Sequence, residues 1–78
     1  MKERLDGLAV RINEAYRRLE EALGDRELML LIGELLSEAE AECPEGEWSA
    51  WLEENFPGSV ETARDFLALH RAQEHRLS

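Results

Sequence analysis

Apolar residues in the first third of the chain return every three or four positions, at Leu5, Leu8, Ile12, Ala15, Leu19 and Ala22. A helix of 3.6 residues per turn gathers such positions on one side. Ala9, Tyr16 and Leu23 widen the stripe. The positions between them mix both charge signs, and Glu14 precedes Arg18 by four, a spacing that supports a helix. The pattern predicts a helix over 3–23, with Gly24 as its C-cap and Asp25 capping the start of the next.

The second run is broader. Leu28, Leu31, Ile32, Leu35, Leu36, Ala39 and Cys43 form one apolar face of a helix over 26–42, interrupted by Gly33 and stopped by Pro44 and Gly46. Glu27, Glu34, Glu38 and Glu42 follow the opposite edge, the last three rising about 6 Å at each step. A short helix over 47–55 carries Trp48, Trp51 and Leu52, with Phe56 continuing the spacing, and this places both indoles toward the core. The segment Phe56-Pro57-Gly58-Ser59 breaks it. Ser59 then caps a fourth helix over 59–74, whose inward stripe is Val60, Ala63, Phe66, Leu67 and His70. No alternating β-branched run predicts a strand. The expected fold is all-α, a small four-helix bundle whose last two helices form a helix-turn-helix-like pair.

A chain of 78 residues reads as a single helical domain over 1–78, an amphipathic helix over 1–24 followed by an acidic helix and the helical pair over 25–78. Such a domain buries roughly 60–65% of its unfolded surface, enough for one core and little room for an enclosed active site. Hydrophobic residues at 44% beside charged residues at 35% describe a globular chain rather than a disordered one. No apolar run reaches the ~20 residues of a membrane span, and the charged start is not a signal peptide. Cys43 is the sole cysteine, which excludes an internal disulfide and suits a reducing compartment, read as the cytoplasm of a bacterial host.

Charge changes the picture most. Residues 25–54 hold ten acidic groups and one basic, Arg26, whereas both flanks balance, so the whole net charge of −9 sits mid-chain. One account is a solvated face that keeps the chain soluble. The other is imitation of a polyanion, an acidic helical surface that is steered into a basic groove meant for nucleic acid. The residues that would carry it are Glu34, Glu38, Glu42, Glu45, Glu47, Glu53 and Glu54.

Other chemistry is poorly served. Trp48 and Trp51 lack the basic neighbours of a base-stacking site, since no Lys or Arg lies between Arg26 and Arg64. His70 and His75 miss the i,i+4 spacing of a paired ligand site and make no zinc pattern with Cys43, so His70 reads as structural, His75 as exposed, and no metal is expected. Ser59 has no nucleophile-elbow context, and no glycine-rich loop cradles phosphate. The expectation is a protein that is not an enzyme and uses no cofactor.

The stretch Leu35 to Leu69, with its Gly46-Glu47-Trp48, Trp51-Leu52-Glu53-Glu54-Asn55-Phe56, Ser59, Thr62-Ala63 and Phe66 positions, resembles a family of small helical domains encoded by phages and mobile elements, with no assigned activity. In that family the outer face of the last helix often carries Arg, Gln or Lys, which would suit entry into a DNA groove. Here that face is Glu61, Arg64, Asp65 and Ala68, which repels phosphate. In size and charge the chain is similar to small acidic anti-CRISPR proteins. Together these imply an inhibitor whose partner is a host nucleic-acid-binding complex, with a CRISPR effector as the single best target and no direct contact with nucleic acid or membrane. A helix-turn-helix DNA-binding regulator and a scaffold module are the alternatives. A monomer is expected, with a homodimer through the first helix as its competitor.

Overall fold

The structure, a computed structural model, describes the backbone of residues 2–77 and the side chains of residues 3–75. Four helices follow one another: α1 (Lys2–Glu21), α2 (Arg26–Glu42), α3 (Trp48–Asn55) and α4 (Val60–Leu77), with no strand among the described residues. The fold is the expected all-α bundle. α1 ends two residues before the expected stop, and the chain reverses at Gly24, whose φ of +87° is a left-handed value that favours glycine. Ala22 and Leu23 therefore leave the apolar stripe, and Leu23 ends 85% exposed because no element covers that corner. The Glu14–Arg18 pair forms no ion pair.

Caps fix the helix starts. The Asp25 carboxylate accepts the Leu28 amide at 3.2 Å, and the Ser59 hydroxyl accepts the Thr62 amide at 3.1 Å. α2 ends at Cys43, and Gly46, again at φ +87°, turns the chain into α3. α3 has no side-chain cap at Glu47, but the acidic residue itself complements the positive end of the helix.

α2 is the central element, packed against α1 on one side and α4 on the other. Its Ile32, Leu35, Leu36 and Ala39 are buried, joined by Leu8, Ile12 and Ala15 from α1, Leu52 and Phe56 from the α3 region, and Ala63, Phe66 and Leu67 from α4. Tyr16, Phe56 and Phe66 meet edge to face, with centroids 5.4–6.5 Å apart, the geometry aromatic quadrupoles favour. At Gly33, α2 lies directly against α4. A Cβ built there would lie 2.7 Å from His70 Cβ and against the Phe66 carbonyl. Glycine in mid-helix is thus a packing requirement, not a weakness.

α3 and α4 are joined through residues 56–59, giving the helix, turn, helix outline. The short α3 is anchored to α1 as well, where the Asn13 side-chain amide donates to the Asn55 carbonyl at 3.1 Å. The two indoles face the core as expected, without sinking into it. Trp48 and Trp51 are half-buried against the core and stack on each other, centroids 5.5 Å apart and planes 11° from parallel. An eight-residue helix presents two turns, too narrow a face to sink two indoles and Leu52 together, so Leu52 takes the interior position.

Candidate functional site

The acidic mid-section becomes three places on the surface. Glu34 and Glu38 are exposed along α2. Glu34, with Glu27, borders a shallow hollow of about 380 Å³ that is closed on the α4 side by His70, Gln73 and Glu74. His70 Nε2 lies 3.1 Å from the Glu74 carboxylate, so this histidine is half-buried and ion-paired when protonated rather than merely packed. His75 is exposed.

The second place is a groove of about 740 Å³ where the start of α1, the end of α2 and the length of α3 converge. Its walls bring together Glu42, Glu47 and Glu54 with Asp6, beside Trp51 and Cys43. Asp6 joins from the far end of the sequence and carries no local signal; only the packing of α1 on α2 puts it here. Arg4 of α1 reaches Glu42 at 3.5 Å. Among the described residues Asp6, Glu47 and Glu54 make no ion pair and no side-chain hydrogen bond. The Cys43 thiol registers the environment, because burial first, then the carboxylates of Glu47 and Glu40, push its pKa above the ordinary thiol value. Glu45 and Glu53 form the remainder, exposed outside the groove.

The charge is placed against the helix it sits on. The last turn of α2 carries Glu40 and Glu42 and no basic residue, although carboxylates oppose the negative end of the helix dipole. Two arginines from other helices offset this, Arg4 on Glu42 and Arg71 on Glu40 at 2.8 Å. The outer face of α4, Glu61, Arg64, Asp65 and Ala68, is exposed as expected and offers one cation.

Among the described residues no group of His, Cys, Asp and Glu is arranged to hold a metal ion. Among them, too, no helix is long and apolar enough to cross a membrane. What the fold and surface define is a small helical domain with an acidic groove lined on one side by an aromatic side chain. The chain belongs to DUF3102, a protein family of unknown function, whose pattern it matches over residues 6–78. No curated protein and no solved structure matches it.

Proposed function

We propose that the protein is a phage-type, non-enzymatic inhibitor of the anti-CRISPR kind, whose acidic surface takes the place of nucleic acid in the basic groove of a host effector complex. One observation carries the reading. Ten of the eighteen carboxylates fall within residues 25–54, and the fold leaves Glu34, Glu38, Glu42, Glu45, Glu47, Glu53 and Glu54 exposed on α2, on α3 and at the corner between them. Charges retained at the wrong end of a helix support it further, since solubility alone is served as well by carboxylates placed elsewhere. The role of each glutamate is electrostatic: it stands where a phosphate would and speeds association with a positive groove.

The test is association with a CRISPR effector complex, measured by biolayer interferometry against a Glu34→Lys/Glu38→Lys variant. The association rate is expected to fall about tenfold in the variant, and wild-type binding to weaken steeply with salt and to compete with duplex DNA. An unchanged rate and salt dependence would end the mimic reading. Sequence-selective binding of the free protein to duplex DNA would replace it with a helix-turn-helix regulator.

A further inference from the structure

The groove between α1, the end of α2 and α3 differs from the rest of the acidic surface. A flat glutamate-covered helix face offers charge alone. The groove adds concavity and an aromatic wall: Trp51, itself held by its stack on Trp48, lines it beside four carboxylates from three separate parts of the chain. Three of these, Asp6, Glu47 and Glu54, have no cationic partner among the described residues. Cys43, on the same wall, has its pKa raised by burial first and then by Glu47 and Glu40, so the Glu47 carboxylate is felt at the groove's lining. Yet the carboxylates are not gathered closely enough to hold a metal ion. Carboxylates dispersed around an indole suit an extended, delocalised cation, and a guanidinium has that form: planar, several donors, readily stacked on an aromatic face. The chain supplies a precedent, since Arg4 already brings one guanidinium to the groove's rim, on Glu42.

We propose that this groove is a receptor for an arginine side chain of a partner polypeptide, its guanidinium set against the Trp51 indole and paired with Glu47, Glu54 and Asp6. The volume, about 740 Å³, admits the side chain together with the backbone that carries it. The inference rests on the preceding reading in taking the partner to be basic, and it adds where the grip lies and which cation it prefers. Arginine is favoured over lysine because a compact ammonium gains less from the indole and cannot bridge separated carboxylates.

The experiment titrates the full-length protein with the capped peptide Gly-Gly-Arg-Gly-Gly and with its lysine and citrulline counterparts, following the Trp51 indole N–H by NMR. Saturable shifts are expected, with the lysine peptide about threefold weaker and the uncharged citrulline peptide at least about tenfold weaker. A Glu47→Gln/Glu54→Gln variant with an unchanged far-UV spectrum weakens the arginine peptide about tenfold. Glu34→Lys/Glu38→Lys, outside the groove, leaves it within about twofold. Non-saturating shifts, equal response to arginine and lysine, or equal loss in both variants would each overturn the proposal. Its failure is separable from that of the mimic reading. Peptide binding without effector association rejects the mimic alone, and effector association without peptide binding rejects the groove alone.

Discussion

Single residues decide how closely the helices sit. Gly33 shows this most directly, because the space for its missing side chain is occupied by the backbone of Phe66 and by His70 Cβ. Alanine elsewhere in a helix gains about 1 kcal/mol over glycine, but overpacking against backbone costs about 1–3 kcal/mol. Gly33→Ala is therefore expected to lower stability by about 1–2 kcal/mol in urea unfolding, and a gain would show that α2 and α4 can separate freely. Cys43 yields a prediction of a different kind. Its raised pKa means the folded protein holds the thiol proton more firmly than the unfolded chain. The stability this contributes is present below the ordinary thiol value and is lost as pH rises through the raised one. Alkylation of Cys43 by iodoacetamide should turn on at higher pH than in the unfolded chain, and Glu47→Gln should move that midpoint down; a midpoint at or below the unfolded one would refute the assignment. At this scale the sequence was legible for the caps, where Asp25 and Ser59 act within three residues of themselves. It was not legible for Gly33, whose reason lies more than thirty residues away on α4.

At the scale of elements, α2 combines the core with the charge. Its buried face holds α1 and α4 together, while its C-terminal turn carries carboxylates that the helix dipole disfavours. Ala41, exposed in that turn, is a place to test the cost. Ala41→Lys is expected to stabilise the protein by about 0.5–1 kcal/mol in thermal or urea unfolding, and no gain would mean Arg4 and Arg71 already neutralise the helix end. α1 is as necessary as α2, since Leu8, Ile12 and Ala15 are part of the same buried cluster. A chain lacking residues 1–22 is expected to lose its cooperative thermal transition by circular dichroism, and a sharp transition would show that the remaining helices are self-sufficient. Helix existence and type followed from the 3.6-residue period in all four cases. Side-chain depth followed less well in α3, where spacing alone gives Trp48, Trp51 and Leu52 the same side and only packing ranks them.

The whole molecule is a slab, 31 × 30 × 21 Å, with a radius of gyration of 12.0 Å, close to the ~11.5 Å of a compact chain this long. Its net charge of −9 sets its long-range behaviour. With phosphate repelled over the mid-section and few cations on α4, no retardation of duplex or single-stranded DNA is expected in a gel shift at physiological salt, and a shifted band at nanomolar protein would reverse the order of the two functional readings. Self-repulsion also predicts a melting temperature that rises with sodium chloride, and a flat response would place the charges too far apart to matter. The sequence revealed where along the chain the charge lies. It did not reveal that Asp6 meets Glu47 and Glu54 across one groove, because that meeting is made by the packing of α1 and by the turn at Gly46.

The paired indoles of α3 have an optical consequence. Two identical chromophores stacked 5.5 Å apart share their electronic excitation, and the chain has no other tryptophan to mask the effect. In circular dichroism such coupling appears as a pair of indole bands of opposite sign, with an amplitude set by the in-plane angle between the two rings, and it is absent from either Trp48→Phe or Trp51→Phe. Helix content taken from the far-ultraviolet amplitude alone would then be in error, while the amplitude of the couplet would follow the orientation of Trp51 directly, without any label.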